Sequence, residues 1–165
     1  MMKQNIITGI VIIAVVAAFA LVQKITEKKP VEYFEVKGYV SRENTFIQDY
    51  QSMKKFLKEI NIQKEMTSSK TFEKFNISEY FNEEYFVDKK VAVVILYEDD
   101  SKGYIHSIDD VVYDKNKTNA TVNYTYKSDR YVGQLKQTWR TYMFVEVDGT
   151  VENVSFIRVK NNIEE

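Results

Sequence analysis

Hydrophobic residues are concentrated near the N-terminus, where residues 6–22 form one apolar run that only Thr8 and Gly9 interrupt. A hydrocarbon core of about 30 Å takes roughly 20 apolar residues as a helix, so this run is at the short end of a membrane span. The segment Ala18-Phe19-Ala20 also has the small-x-small form of a signal-peptidase site. We therefore expect residues 6–25 to enter a membrane, as an uncleaved helix or as a signal peptide removed after Ala20.

The charges that flank the apolar run bear on the side of the membrane on which the rest of the chain lies. Lys3 and the α-amine precede the run and three lysines follow it, which favours a cytoplasmic C-terminal part. The short basic segment and the cleavage site favour export instead. We expect residues 1–29 to form the anchor or signal peptide. Residues 30–165 would then be an extracytoplasmic domain at the cell membrane, or a secreted one.

The pattern after residue 30 predicts a strand and then an amphipathic helix. Residues 31–40 alternate loosely between apolar and polar, as a half-buried strand does. Apolar residues then recur at helical spacing over residues 50–64, directly after Asp49, whose carboxylate can accept the first unpaired N–H groups of a helix. We expect this helix to pack Met53, Leu57 and Ile60 against a sheet.

Two further segments follow the predicted helix. Residues 65–77 are polar and have no period, which is typical of a mobile loop. Residues 82–86 combine an asparagine with acidic residues that suit the N-terminal dipole of a helix. They predict a short capped helical turn.

The second half of the chain reads as consecutive strands. The continuous apolar run over residues 91–97 is typical of a strand buried on both faces. Turn-forming stretches separate the later candidates, and Asp148-Gly149 is a strong hairpin signal. These later strand candidates cover residues 104–113, 119–127, 138–147 and 151–159. The pattern predicts an α+β fold, an antiparallel β-rich domain with one packing helix, arranged as a meander.

Charge and composition exclude some functions. Residues 30–165 carry 19 Lys and Arg against 23 Asp and Glu, and no basic stripe stands out, which argues against nucleic-acid binding. The chain has no cysteine, so disulfides and a lipoprotein anchor are excluded. Twelve Tyr and ten Phe point to a β-rich core, to a binding surface, or to both.

His106 is the only histidine. Zinc sites take several His or Cys ligands, so we expect no zinc site from this chain alone and no cofactor. His106 alternates with Tyr104 and Ile108, and a lone histidine on such a face is more often a packing residue than a catalyst. We predict a protein that is not an enzyme. The alternative is an extracytoplasmic hydrolase in which His106 works with Asp109 or Asp110 as an acid–base pair.

Two acidic turns could hold calcium, because carboxylates cluster in each of them. The first is Glu98-Asp99-Asp100, and the second begins at Asp114 with oxygen ligands at alternate positions. The second turn lacks the glycine at its sixth position and the acidic residue at its twelfth. Both are better interpreted as solvated hairpin turns.

The second half of the chain resembles a known family. Tyr85-Phe86 followed by residues 89–94 is similar to the "FF-x-x-K-x-L-V-V-V" start of the C-terminal domain of PrcB-like protease-complex subunits. Residues 101–108 resemble its Ser/Thr-Gly-Gly-Tyr segment, and more closely the "S-G-S-I-R-H-x-V" form of uncharacterised Gram-positive relatives. Residues 144–148 resemble the closing "F-I-E-V-D" strand. Lys102 departs from the family by standing where its first glycine is expected.

The resemblance implies an exported, β-rich, noncatalytic domain of the bacterial cell surface. Members of that family are often lipid-anchored, and the named member supports a surface protease. For this chain the resemblance therefore implies an accessory or interaction domain with a protein partner, and suggests a protease complex.

Aromatic residues on the later strands are candidates for the binding surface. An acidic turn leads into a strand whose tyrosine and histidine can give directional contacts around an apolar body. The predicted partner-binding residues are Gly103, Tyr104, His106, Tyr124 and Tyr126. The alternative is that these side chains fill the core. In the strand at 138–147, apolar residues lie on both faces, so both faces need a cover.

Overall fold

The computed structural model describes residues 31–61, 65–128 and 137–159. The predicted membrane segment, residues 6–25, lies outside the described residues. Within the three described ranges, no helix is long and apolar enough to cross a membrane.

The described residues form nine strands and two α-helices. The strands are β1 (Tyr33–Gly38), β2 (Thr45–Ile47), β3 (Glu65–Ser68), β4 (Lys74–Asn76), β5 (Lys89–Asp99), β6 (Tyr104–Tyr113), β7 (Asn119–Ser128), β8 (Thr138–Asp148) and β9 (Asn153–Arg158). The helices are α1 (Tyr50–Ile60) and the single turn α2 (Ile77–Tyr80), and a 3₁₀ turn spans Tyr85–Val87. The predicted α+β, β-rich class with one main helix is confirmed.

A six-stranded antiparallel sheet forms the middle layer, in the order β2-β5-β8-β1-β3-β4. The long strand β5 pairs with β8 along its whole length, from Lys89 opposite Asp148 to Asp99 opposite Thr138. β5 carries the continuous apolar run, because one of its faces packs under α1 and the other under a second sheet. The prediction of a strand buried on both faces is confirmed.

The second sheet has three strands in the order β6-β7-β9, and β9 runs parallel to β7. The predicted single meander is therefore wrong.

The turn at Asp148-Gly149 is also not a hairpin, since β8 and β9 belong to different sheets. This turn carries the chain from one sheet to the other, and Gly149 N donates to Asp88 O at 2.9 Å. A Cβ on Gly149 would lie 2.7 Å from the backbone of Asp88, which explains the glycine.

Helix α1 covers one face of the six-stranded sheet. Asp49 caps it, as predicted, by accepting the N–H of Ser52 at 2.8 Å. The buried helix residues are Met53, Phe56 and Ile60, whereas Leu57 is only half-buried. Leu57 still packs against the core under the helix, so the predicted packing of Met53, Leu57 and Ile60 against the sheet is confirmed, with Phe56 more deeply buried than Leu57. The core under the helix includes Phe34, Val36, Val91, Val93, Tyr142 and Phe144.

The three-stranded sheet covers the other face of the six-stranded sheet. Even-numbered residues of β5 and odd-numbered residues of β8 point into this second core. Its buried members are Ala92, Val94, Leu96, Ile108, Ala120, Val122, Met143, Val145, Val147 and Val151. The apolar residues on both faces of β8 thus pack within the domain.

The segment predicted as a mobile loop, residues 65–77, forms the hairpin β3–β4 at the edge of the six-stranded sheet. Met66 and Ser68 are buried on the helix side, while Glu65, Thr67 and Lys74 lie on the other side and are wholly or partly exposed. This second side is called the open hairpin face below. The polar composition that suggested a loop belongs to this exposed face.

Candidate functional site

His106 lies on the face of β6 that is turned toward the six-stranded sheet. Alternation along β6 puts Tyr104, His106 and Ile108 on this inner face, and the side chain of His106 is 15% exposed. A register shift between Ile108 and Asp110 then changes the phase of the strand, so that Val111 also points inward. The histidine therefore lies between the two sheets.

Two glutamates hold the imidazole of His106. Its Nε2 lies 2.9 Å from Glu35 Oε2, and its Nδ1 lies 2.9 Å from Glu98 Oε1. The second contact does not have the direction of a hydrogen bond, and neither of its two atoms has another partner. We describe it as an ion pair. Glu35, His106 and Glu98 are called the carboxylate–histidine cluster below.

The other carboxylate oxygen of Glu98 is fully engaged. Glu98 Oε2 accepts hydrogen bonds from Trp139 Nε1 at 2.8 Å and from Thr141 Oγ1 at 2.7 Å. The side chain of Glu98 is 3% exposed, so each of these donors replaces water that burial removed. The carboxylate is thus built into the space between the sheets.

The order of the strands brings these residues together. β8 lies between β1 and β5, with Met143 opposite Glu35 and Trp139 opposite Glu98. The two glutamates therefore approach from opposite sides of β8, and His106 reaches down from β6 between them. The cluster joins one sheet to the other at the end of the second core.

The electrostatics favour a charged imidazole. The contact with Glu35 and then that with Glu98 raise the pKa of His106 to about 9, although burial acts in the opposite direction. Burial raises the pKa of Glu98, but the contacts with His106, Thr141 and Trp139 together outweigh burial and lower it. At neutral pH, one positive charge thus lies between two carboxylates.

This arrangement does not suit His106 to general acid–base catalysis. A general base needs a free nitrogen lone pair and a pKa near the working pH, and both ring nitrogens here face carboxylates. The predicted acidic partners have other contacts. Asp109 accepts from Ser107 at 2.9 Å and from Thr125 at 2.8 Å, and Asp110 accepts from Asn123. The structure brings His106 to Glu35 and Glu98 instead.

The acidic turns do not assemble a cation site in the parts of the chain that are described. No group of three or more His, Cys, Asp or Glu there could hold a metal ion. In the first turn, Glu98 points inward and Asp99 accepts from Ser101 N at 2.9 Å. In the second, Asp114 Oδ1 accepts the N–H groups of Thr118 at 2.8 Å and Asn119 at 3.2 Å.

The predicted aromatic residues meet beside the carboxylate–histidine cluster. The rings of Tyr104 and Tyr126 stack with centroids 5.8 Å apart and planes 2° apart. Tyr126 donates its hydroxyl to the carbonyl of Tyr97 in the six-stranded sheet, and the guanidinium of Arg158 lies 5.0 Å from the Tyr126 ring centre. The rings of Tyr104 and Tyr126 are both half-buried, and neither packs on helix α1.

Tyr124 and Gly103 differ from the stacked pair. Tyr124 packs against the core between the sheets, whereas Gly103 is exposed in the turn before β6. The five predicted residues thus gather on β6, β7 and the preceding turn.

Comparison of the chain with protein-family models, curated proteins and solved structures finds no match.

A groove that sequence reasoning missed lies beside β6. It has a volume of about 520 Å³ and is lined by Val31, Glu32, Tyr33, Ser69, Lys70, Ser107 and Ile108. Its walls come from the chain at the start of β1, from the turn between β3 and β4, and from β6. The polar pattern of residues 65–77 carried no signal that this segment would join a sheet and border a groove.

Phe72 lies in the turn of the hairpin, next to this region. Its side chain is 82% exposed, and its backbone has a φ of 55°. A bulky residue in the left-handed region is uncommon, and a large exposed aromatic side chain gains no stability from burial. Phe72 lines a small cavity with Tyr33, Glu35 and Thr67, at the side of the groove.

Proposed function

We propose that residues 30–165 form a noncatalytic interaction domain on the outer side of a bacterial cell membrane. Residues 6–25 would either anchor this domain or be cleaved to release it. The observation that carries the noncatalytic part is the engagement of both ring nitrogens of His106 by Glu35 and Glu98. The only histidine of the chain acts as a charged link between two sheets.

The geometry beside the cluster supports an interaction role. A groove lies beside β6, an exposed aromatic residue lies at the adjoining hairpin turn, and the stacked pair Tyr104–Tyr126 lies at the start of the same strand β6, where it contacts β5. Such surfaces combine apolar area with polar groups that fix orientation. The resemblance to PrcB-like subunits makes a protease complex the suggested setting for the partner.

Protease treatment of intact cells tests the location. The full-length chain carries a C-terminal tag, and a cytoplasmic protein serves as the control for cell integrity. We expect the tagged domain to be degraded in intact cells while the cytoplasmic control survives. A domain that is degraded only after lysis contradicts an extracytoplasmic location.

Photo-cross-linking in the same intact cells tests the interaction. A photoreactive residue replaces Ile105, which is exposed on β6 beside the candidate surface, or Val87, which is exposed on the distant 3₁₀ turn. We expect a discrete cross-linked product from position 105 and none from position 87. Equal labelling at both positions contradicts a specific partner surface.

A further inference from the structure

We propose that the free edge of β6 binds an extended segment of another protein, which adds a strand to the three-stranded sheet above the open hairpin face. This inference rests on the proposed function, because it specifies where and how the domain would hold a partner. Edge addition gives affinity through backbone hydrogen bonds and selectivity through alternate side chains.

The register identifies the backbone groups that this edge offers. Val159 N donates to Tyr124 O at 2.9 Å, so the backbone of Tyr124 points away from β6. In an antiparallel pair, directly opposed residues alternate between bonded and non-bonded positions. Tyr124 lies opposite Ile108 and Tyr126 opposite His106, so both pairs are of the non-bonded kind.

The backbone groups of Tyr104, His106 and Ile108 therefore point outward, away from β7. Ile105 and Ser107, which lie opposite Lys127 and Thr125, direct theirs to β7 instead. No other described strand pairs with β6. The outer edge is thus a row of donors and acceptors to which another extended backbone is complementary.

The space beside this edge suits one or two strands. β6 runs alongside β8. Near the start of β6, His106 lies in the carboxylate–histidine cluster, and at its end the hydroxyl of Tyr113 accepts a hydrogen bond from Asp148 N at 3.4 Å. His106 of β6 contacts Glu35 of β1 and Glu98 of β5, so β6 lies over the middle of the six-stranded sheet. β3 and β4 lie beyond β1 and extend past this position by two strands, or about 10 Å at the usual spacing of ~4.8 Å. A segment bonded to β6 would have these strands beneath it.

The same projection disfavours a second copy of this chain as the occupant. An antiparallel β6–β6 pair has its two-fold axis perpendicular to the sheet, which places both six-stranded sheets on the same side. Each sheet would extend β3 and β4 into the space of the other. A single extended segment meets no such overlap.

The lining of the groove indicates the chemistry of the segment. Val31, Tyr33 and Ile108 provide apolar surface between the sheets, and Ser69, Ser107 and Lys70 surround it. The segment would therefore place an apolar side chain into the groove and polar side chains above and below it. Phe72, exposed in the adjoining turn, would contact the same segment from the side.

A library of phage-displayed random peptides tests the proposal on the purified full-length chain. The peptides are ten residues long, which matches β6. We expect enrichment of peptides with alternating apolar residues. Binding to Thr67→Trp should be roughly tenfold weaker or worse, because the indole fills the space above β3. The matched control is Ser155→Trp, on the outer face of β9, which should bind normally.

Amide hydrogen exchange of the wild-type chain reads the geometry directly and does not depend on how the variants fold. In the free chain, the amides of Tyr104, His106 and Ile108 should exchange fast, while those of Ile105 and Ser107 are protected. Saturation with an enriched peptide should slow the first three amides by more than about tenfold.

Four results would overturn the proposal. The first three are a library without enriched peptides, peptides that bind the Thr67→Trp variant as well as the wild type, and edge amides that stay unprotected with peptide bound. The fourth is protection of all three amides in the free chain, because the edge would then already be occupied. These tests use purified protein, so peptide binding can fail while the protease test still shows the domain outside the cell. Equally, peptides can bind the edge of β6 even if the protease test places the domain inside.

Discussion

Nδ1 of His106 and Oε1 of Glu98 lie 2.9 Å apart, although the two residues belong to strands of different sheets. Neither atom has another partner, so each depends on the other for compensation of its burial. Removing one member of such a pair leaves the second charged and unpaired.

Replacing His106 should destabilise the fold strongly. His106→Ala leaves Glu98 buried without its cation, and we expect a loss of about 3–5 kcal/mol in the free energy of unfolding. Urea denaturation measures this loss. Lys102→Ala, in the exposed turn before β6, is the control and should change stability by less than about 0.5 kcal/mol. A loss below about 1 kcal/mol for His106→Ala, close to the effect of a surface substitution, would mean that the cluster contributes little to stability.

The stability of the fold should fall at alkaline pH. The pKa of His106 is raised from 6.5 to about 9, so its contribution is complete below pH 6.5 and is lost as the pH rises through 9. The pKa of Glu98 is lowered from 4.5, so its contribution is complete above pH 4.5 and is lost as the pH falls. Both contributions are therefore present together between these two limits.

Urea denaturation at about pH 6 and about pH 9.5 measures the alkaline loss, which we expect to be roughly 1–3 kcal/mol after allowance for solvent screening. His106→Gln keeps a polar side chain that does not titrate, so it should show a much smaller difference between the two pH values. An equal difference in the variant would assign the alkaline loss to other groups.

The two neighbouring apolar residues of helix α1 should differ in importance. Phe56 is buried and its ring contacts Tyr142 and Phe144 with centroids 6.1 and 6.2 Å away. Phe56→Ala should therefore cost about 3–5 kcal/mol. Leu57→Ala should cost less than about 2 kcal/mol, because that side chain is half-buried. Thermal or urea unfolding ranks the two, and a larger loss for Leu57→Ala would contradict the observed orientation of the helix.

Gly149 should tolerate no side chain without loss. In Gly149→Ala the new methyl group would lie 2.7 Å from the carbonyl of Asp88, and backbone atoms cannot move away cheaply. We expect a loss of roughly 1–3 kcal/mol, as for other overpacked sites. Gly103→Ala, in an exposed turn, is the matched control and should be nearly neutral. Equal melting temperatures for the two variants would show that the turn can shift.

The local pattern of apolar and polar residues predicted most of the elements, because the spacing of apolar residues within a segment differs between a strand and a helix. The predicted strand at residues 104–113 matches β6, and Asp49 caps α1 as expected. The hairpin β3–β4 escaped prediction, since only Met66 and Phe75 of its strands combine apolar character with burial on the helix side. In an edge hairpin with one solvent-exposed face, the alternation of apolar and polar residues is too weak to detect.

The pairing of strands and the carboxylate–histidine cluster depend on residues far apart in the chain. Nothing near Asp148-Gly149 indicates that β8 and β9 part into different sheets. Glu98 follows Ala92, Val94 and Leu96 on one face of β5, so alternation could have marked it as an inward carboxylate. Its partners Glu35 and His106 could not be recognised before the strand order was known. Sequence reasoning therefore identified His106 but not its two glutamate partners.

The route of the chain through the two sheets has a consequence for folding. β8 lies between β7 and β9 in sequence, yet it belongs to the six-stranded sheet, where it pairs with β1 near the other end of the described chain. The chain between the paired strands β7 and β9 includes β8, which lies in the other sheet, so this pairing closes a long loop. When strands far apart in the chain must pair, the chain loses much conformational entropy before the stabilising contacts between them form. The two layers should accordingly fold slowly and unfold as one cooperative unit.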